Sequence, residues 1–203
     1  MSNKPPIEVP QGAIRFNTES HKLEFYAQDR WHEMASETST GLSGKVFRTG
    51  AGSGGNIIET FNVATEGNAI DTGFDLYHEV HAHATGGSRT RAIQAGGRKS
   101  PSNPWPLQNV IQYFEMNSLS NSIDFGDLTQ ATGRFDAHSD QIRMVTMGQQ
   151  NATSNHMDLI TIPTLGNATD FGNSTQAGEF TSAFGSRTRG LWGGRSVSDS
   201  PKN

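Results

Sequence analysis

The chain lacks cysteine altogether and has few charged residues. Without Cys it can form neither disulfide bonds nor thiolate metal sites, although this absence does not identify a cellular compartment. Charged residues make up 18% of the 203 residues and the formal net charge is −4, so no basic field favours nucleic acid. No stretch approaches the roughly 18 apolar residues of a membrane span, and the N-terminus has no apolar run typical of a signal peptide. We therefore expect neither a nucleic-acid nor a membrane partner.

Glycine is abundant, with 23 residues, and is accompanied by Ser, Thr, Asn and scattered apolar residues. This mixture is typical of short strands joined by tight turns. A helical protein would contain more Ala, Leu, Glu and Lys, and a disordered chain would usually carry more charge. The composition therefore predicts an all-β protein.

An internal repeat, which we call motif A, occurs three times. Its copies begin at Asn56, Asn109 and Asn155 with an alternating strand, and the starts lie 53 and then 46 residues apart. A turn around a second Asn and an Asp-x-Gly turn are predicted to follow. These later landmarks are Asn68, Asn121 and Asn167, then Asp71, Asp124 and Asp170, then Gly73, Gly126 and Gly172.

A second repeated element, motif B, occurs four times and predicts a short strand with one apolar residue two places after a basic one. Its copies begin at Lys45, Arg91, Arg143 and Arg189 and end at Gly50, Gly96, Gly148 and Gly194. The closing glycine indicates a bend or a positive φ. We expect the three Arg to occupy equivalent places and to lie near Asp71, Asp124 or Asp170, forming one bidentate ion pair per repeat. The alternative is a patch of basic side chains that binds a ligand.

The longer spacing comes from an insertion at residues 98–106, which contains three prolines and Trp105. Because proline is excluded from central strands, we expect an exposed loop there. A unit of about 46 residues falls in the range of propeller blades. Motif B followed by motif A resembles the kelch blade, with its glycine doublet at Gly96-Gly97 and Gly193-Gly194 but Gly148-Gln149 in between.

We therefore predict an all-β fold: a β-propeller-like array of three and a half kelch-like blades at 41–203, divided at about 45–109, 110–157 and 158–203. Residues 1–40 are predicted to form an N-terminal β-hairpin that serves as an anchoring segment. In this hairpin Ile14 and Phe16 share one face with Leu23 and Phe25, across a polar turn at 19–22.

An incomplete array leaves sheet edges open, and open edges pair with other strands. Two routes to closure follow. Hairpin 13–26 could supply the missing motif A and pair with 180–195, or two chains could build one larger propeller. We favour the second route and expect a homo-oligomer.

Two parts of the chain resemble phage proteins. Residues 166–172, GNATDFG, and 186–194, SRTRGLWGG, resemble repeats in virion proteins of marine and cyanobacterial phages. Residues 10–18, PQGAIRFNT, resemble a segment common in tail-fibre and tail-associated proteins. The resemblance implies a virion structural protein, assembled in the bacterial cytoplasm, that contacts other virion proteins in the tail, fibre or neck. The alternative is a capsid-decorating module or a propeller that binds a host glycan or receptor.

No catalytic constellation is evident. The tripeptide Asp124-Phe125-Gly126 occurs in the kinase magnesium site, but the other kinase motifs are absent, so we assign it to turn chemistry. His78, His81 and His83 are the weak candidates for a metal site, since His81 and His83 would share a strand face. The other repeats lack these histidines, and a propeller enzyme would need clustered Arg, Tyr and carboxylates. We expect no metal, no cofactor and no enzymatic activity.

Overall fold

The computed structural model describes residues 9–19, 21–34, 44–51, 55–65, 67–99, 104–148 and 154–194. These residues form seventeen strands and no helix, which confirms the all-β prediction. They therefore include no helix long and apolar enough to cross a membrane. The chain divides into two compact units, Met1–Thr40 and Gly41–Asn203, and this boundary coincides with the one drawn from the sequence.

The N-terminal unit contains one antiparallel sheet, formed by β1 (Ile14–Asn17), β2 (Lys22–Ala27) and β3 (Arg30–Glu33). The predicted hairpin is confirmed, because Ile14 pairs with Phe25 and Phe16 pairs with Leu23. The third strand was not predicted. It follows a two-residue turn, Gln28-Asp29, in which both residues have positive φ, as a tight hairpin requires.

The described residues of the second unit form four antiparallel sheets. Sheet 1 consists of β4 (Lys45–Ala51), β5 (Gly55–Asn62) and β6 (Ile70–Asp75). Sheet 2 consists of β7 (Val80–His81), β8 (Ala84–Gly87), β9 (Arg91–Lys99), β10 (Leu107–Glu115) and β11 (Ile123–Thr132). Sheet 3 consists of β12 (Asp136–Ser139), β13 (Arg143–Met147), β14 (His156–Thr161) and β15 (Thr169–Asn173). Sheet 4 consists of β16 (Ser182–Gly185) and β17 (Gly190–Gly193).

The two sequence motifs correspond to defined strands. Motif B forms β4, β9, β13 and β17, and motif A forms the two strands that follow each of the first three. The glycines that close motif B all have positive φ, as predicted: +70° at Gly50, +58° at Gly96, +85° at Gly148 and +77° at Gly194. The repeat therefore describes real structural equivalence.

The predicted blade boundaries are not those of the sheets. The sheets span 45–75, 80–132, 136–173 and 182–193, so divisions at 109 and 157 cut through sheets 2 and 3. Sheets 2, 3 and 4 include a strand before motif B, with the sequences ATGG, DAHS and SAFG, in which no position is the same in all three. These strands are held by pairing with motif B rather than by a shared sequence, which is why the repeat did not reveal them.

The Asp-x-Gly landmark is a bulge inside a strand and not a turn between strands. Asp124 and Gly126 pair with consecutive residues of β10, so Phe125 between them has no cross-strand partner. In the third copy Asp170 Oδ1 accepts a hydrogen bond from Gly172 N at 2.8 Å. The positive φ of the glycine and the acceptor on the Asp are what such a bulge requires.

The insertion lengthens the hairpin between β9 and β10. Residues 100–103 lie outside the described part of the chain, and Lys99 N donates to Pro106 O at 3.0 Å beside the hairpin tip. Trp105 is 47% exposed, as expected for this loop, and its ring meets the edge of His81 at 5.6 Å.

Candidate interaction site

The apolar core lies between successive sheets. We call the face that a sheet turns towards the next sheet in the chain its front face, and the opposite face its back face. The front face of sheet 2 carries Ile93, Ala95, Ile111, Tyr113 and Phe125. The back face of sheet 3 carries Met144, Ile160, Ile162 and Ala168. These nine side chains belong to one core cluster and are at most 8% exposed. Sheet 2 therefore packs front to back on sheet 3, and burial of these side chains is the main apolar contribution to the interface.

Sheets 1 and 2 meet in the same way. Phe47 and Ile58 on the front face of sheet 1 cluster with Ala92, Phe114 and Met116 on the back face of sheet 2. The rings of Phe47 and Phe114 meet edge to face at 5.5 Å. The repeat thus produces one kind of interface twice.

The second Asn of motif A joins neighbouring sheets. Asp75 N, at the end of sheet 1, donates to Asn121 Oδ1 at 2.9 Å. The backbone of the next residue completes the contact, because Ser122 N donates to Asp75 O at 2.9 Å. The side chain of Asn121 and the backbone of Ser122 therefore satisfy both polar groups of one edge residue.

The equivalent residues join sheets 2 and 3. Asp127 N donates to Asn167 Oδ1 at 3.0 Å, and Ala168 N donates to Asp127 O at 2.8 Å. The sequence indicated only a turn at these Asn residues. Their bridging role depends on a residue about 40 positions away, which no local pattern reveals.

A buried polar residue of motif A provides a further contact. Asp158, 0% exposed, accepts hydrogen bonds from Thr129 Oγ1 at 2.6 Å and Thr129 N at 3.3 Å. Gln112 at the equivalent position, 1% exposed, accepts from His78 N at 2.9 Å and donates to His78 O at 3.0 Å. The buried side chain of motif A thus binds the preceding sheet in one case, within β11, and the segment that leaves the preceding sheet in the other, at His78.

Thr129, His156 and Asp158 have the composition of a nucleophile, a base and an acid. His156 Nε2 lies 2.7 Å from Thr129 Oγ1 and 3.0 Å from Asp158 Oδ1. In a catalytic triad the nucleophile and the acid contact opposite ring nitrogens. Here both contact Nε2, and the Thr129 hydroxyl donates directly to the Asp158 carboxylate. The opposite ring nitrogen, Nδ1, lies 3.6 Å from Asp170 Oδ1, beyond hydrogen-bond distance. This cluster holds sheets 2 and 3 together and does not have the geometry of a triad.

The predicted ion pair between Arg91 and an Asp of motif A is wrong. Arg91 Nη2 lies 2.8 Å from Glu115 Oε1, and Glu115 is its partner across the ladder of β9 and β10. Its Nη1 donates to Ile162 O of sheet 3 at 2.8 Å, and its guanidinium covers the Tyr113 ring at 4.4 Å. Arg91 thus does join neighbouring sheets, but through a carbonyl rather than a carboxylate.

Arg143 and Arg189 also depart from the prediction. Arg143 Nη2 pairs with Asp140 Oδ2 at 2.8 Å inside one hairpin. Hydrogen bonds from the Arg143 and Ile142 backbone and from the guanidinium lower the pKa of Asp140 to about 2. Within the described residues Arg189 has no ion pair. The reason is proximity, because Asp140 lies in the turn beside Arg143 whereas Asp71, Asp124 and Asp170 lie in the outer strands.

His83 connects sheets 1 and 2. Its Nε2 lies 3.1 Å from Thr49 Oγ1, and a Cβ built on Gly50 or Gly97 would lie 3.0 Å from its atoms. Burial lowers the pKa of His83 to about 4, so the ring is neutral at pH 7. Gly50, which closes motif B, and Gly97, the second glycine of the doublet, therefore make room for one imidazole.

The expectation that His81 and His83 share a strand face is wrong. His81 ends β7, and Ala82 has a φ of +54°, which breaks the alternation before β8 begins. Burial, and then the charge of Arg98, lower the pKa of His81, while the His78 ring packs against Tyr77 at 4.5 Å. No group of three or more His, Asp or Glu that could hold a metal occurs among the described residues.

Two clefts lie at equivalent positions between sheets. One of about 340 Å³ lies between sheets 1 and 2 and is lined by Lys45, Ser88 and Arg91 among others. The other, of about 570 Å³, lies between sheets 3 and 4, and its lining includes Leu159 and Phe171. Both combine basic and apolar side chains, as ligand-binding clefts commonly do.

No protein-family model matches this chain, and no curated protein is significantly similar to it. A functional conclusion therefore depends on the residues themselves. The contacts above describe surfaces that join β-sheets, and the site is best understood as an interaction site.

Proposed function

We propose that this protein is a non-enzymatic structural component of a bacteriophage virion, associated with the tail, fibre or neck. The resemblance of 166–172, 186–194 and 10–18 to phage virion and tail-fibre sequences supports this role. Its partners would be other virion proteins and further copies of itself, and it would join the particle in the cytoplasm of the host bacterium.

We also propose that sheets 1 to 4 are kelch-like blades of a β-propeller-like array of three and a half blades. The front-to-back packing of the sheets supports this arrangement. The strands that directly precede motif B in successive sheets are also neighbours, since β12 lies against both β8 and β16. In a propeller the first strands of the blades surround a central channel and adjoin one another in this way.

The observation that carries the virion role is the exposed apolar surface of the N-terminal sheet. Ile14 is 64% exposed, Phe16 57%, Leu23 49% and Phe25 37%. The register of β1 and β2 makes them two cross-strand pairs, so they form one apolar surface. Monomeric proteins rarely expose a contiguous apolar patch, and such a patch indicates a protein interface.

The test is co-sedimentation of the protein with purified phage particles. Phe16→Asp should abolish binding, because it places a charge in the centre of the exposed surface. Thr18→Asp, in the exposed turn beside it, adds the same charge outside the surface and should bind like the unchanged protein. Binding that survives Phe16→Asp, or an unchanged protein that never sediments with particles, would refute the anchoring role.

A second candidate is a module that binds a host glycan or decorates the capsid. The cleft between sheets 1 and 2 favours the glycan, because Ser88, Thr85 and Arg91 offer hydrogen-bond donors beside apolar walls. A glycan array distinguishes the two candidates. A specific signal that is lost in Arg91→Ala would support the glycan, and no signal together with particle binding would support the structural role.

A further inference from the structure

The front face of sheet 3 repeats that of sheet 2 but is not covered in the same way. Val145, Met147, Met157, Leu159 and Phe171 occupy the positions of Ile93, Ala95, Ile111, Tyr113 and Phe125. Phe125 is 4% exposed, whereas Phe171 is 52% exposed and the other four are half-buried. Only two strands, β16 and β17, follow in the described residues, where sheets 2 and 3 each place at least four.

The back face of sheet 1 is likewise apolar and only partly covered. Val46, Phe61, Val63 and Ala69 stand where sheet 3 has Met144, Ile160, Ile162 and Ala168. The sheet 3 set is at most 8% exposed, while Val46 is 36%, Phe61 37% and Val63 69% exposed. In the part of the second unit that the structure describes, one apolar face of each kind is therefore open, and inside the chain these two kinds pack together twice.

The polar contacts have unused counterparts on the same two faces. Asn68 and Ala69 match the bridging residues Asn121 and Ser122, yet the Asn68 side chain has no hydrogen bond among the described residues. Asn173 has the same ladder position as the edge residues Asp75 and Asp127, because it pairs with His156 where they pair with Ile57 and Val110. Since Ser174 N donates to Asn155 O, the N–H and C=O of Asn173 point away from β14. No described residue bridges them.

A second polar pair is unused as well. Glu59 occupies the position of Asp158, and Thr175 occupies that of Thr129. Inside the chain the Thr129 hydroxyl and N–H both donate to Asp158. The Glu59 carboxylate instead pairs with the partly exposed Arg48, and Thr175 is exposed. A donor on sheet 3 thus has an acceptor of the matching type on sheet 1.

We propose that the back face of sheet 1 in one copy docks on the front face of sheet 3 in a second copy. In this contact Asn68 bridges Asn173, and Glu59 accepts hydrogen bonds from Thr175, as the equivalent residues do within the chain. The interface joins two different surfaces, so copies associate head to tail and form a ring or a longer array. The inference rests on the proposed function only in treating the chain as an assembling protein.

Docking brings β4 of the first copy, whose sheet 1 docks, to the position that β17 occupies in the second copy, because both are motif B strands. Only one of them can pair with β16. β17 is held by a ladder of four residue pairs, and Leu191 is 56% exposed, whereas β4 pairs with β5 over six. In the docked state β4 therefore replaces β17 beside β16 and completes a four-stranded sheet.

Sedimentation velocity of the full chain tests the contact. The unchanged protein should sediment as a dimer or larger species. Phe171→Asp on one face and Val63→Asp on the other should each weaken association by at least about 100-fold, because each buries an unpaired charge. Both side chains are exposed in the single chain, so folding is unaffected. Ile123→Asp, at a 53% exposed position outside both faces, is the matched control and should associate normally.

Mixing the variants determines whether the contact is head to tail. A 1:1 mixture of Phe171→Asp and Val63→Asp retains one intact face of each kind, so it should form a dimer and nothing larger. Leu191→Pro, which weakens the pairing of β17 with β16, should strengthen association. A monomeric unchanged protein, a mixture that stays monomeric, or association that is lost in only one of the two face variants would overturn the proposal. Weaker association of Leu191→Pro would overturn the strand replacement.

Phe16→Asp separates this inference from the proposed virion role. It alters the N-terminal sheet alone and should leave self-association unchanged while it abolishes co-sedimentation with particles. Loss of self-association in Phe16→Asp would overturn the contact proposed here. Self-association without any binding to particles would refute the virion role and leave the contact standing.

Discussion

Gly96→Ala tests whether the glycine that closes motif B is required for its backbone conformation alone or also for space. Gly96 has a φ of +58°, and a Cβ there would lie 2.8 Å from Thr132 O and 2.8 Å from Phe135 Cζ. The left-handed conformation costs an alanine about 1–2 kcal/mol. Contact with a backbone oxygen and a core ring adds about 1–3 kcal/mol. Alanine lowers the entropy of the unfolded chain, which returns about 0.4–1 kcal/mol.

These terms predict a loss of about 1–5 kcal/mol, centred on about 3 kcal/mol, in the free energy of unfolding of Gly96→Ala, measured by urea denaturation. Gly73→Ala is the matched control, because Gly73 has a φ of +74° and nothing within 4 Å of its Cβ position. It should lose only about 1 kcal/mol, the conformational part. Equal losses in the two variants would show that the crowding at Gly96 contributes nothing and would refute the packing argument.

Three further predictions concern the contacts between sheets. Asn167→Ala should lower the free energy of unfolding by about 1–2 kcal/mol, because Asp127 N loses its acceptor. Asn68→Ala is the control and should leave the stability of the single chain unchanged. Equal effects of the two substitutions would contradict the bridging role. Phe114→Ala should lower stability by about 3–5 kcal/mol in the same urea titration, and a loss below about 1 kcal/mol would contradict close packing of sheets 1 and 2. The pKa of His83, about 4 when folded and 6.5 when unfolded, makes the unfolded state bind more protons between these values. Stability should therefore be complete above pH 6.5 and fall by at most about 3 kcal/mol as the pH drops to 4, and a fall of the same size in His83→Gln would refute this assignment.

Local chemistry made the strands of this protein predictable. Alternating apolar residues indicated the strands of both motifs, and the glycines at Gly50, Gly96, Gly148 and Gly194 indicated positive φ, which all four adopt. The hairpin of β1 and β2 followed from the same alternation. Each of these features depends on residues that are close in sequence, so a single chain contains the information needed to infer it.

Features that depend on distant residues were not predictable in the same way. The strands β8, β12 and β16 have no residue that is common to all three, and the bulge around Phe125 was expected to be a turn. The partner of Arg91 was expected to be an Asp, but the ladder of β9 and β10 places Glu115 opposite it.

The amino-acid sequence by itself determined the all-β composition, the period of the repeat and the positions of the positive-φ glycines, because these follow from side-chain alternation and backbone sterics within a few residues. Only the tertiary structure decided that Asn121 and Asn167 bridge neighbouring sheets and that Phe171 is exposed where Phe125 is buried. Equivalent residues acquire different environments because burial depends on whether another sheet packs against them, and a repeat unit cannot bury its apolar face alone.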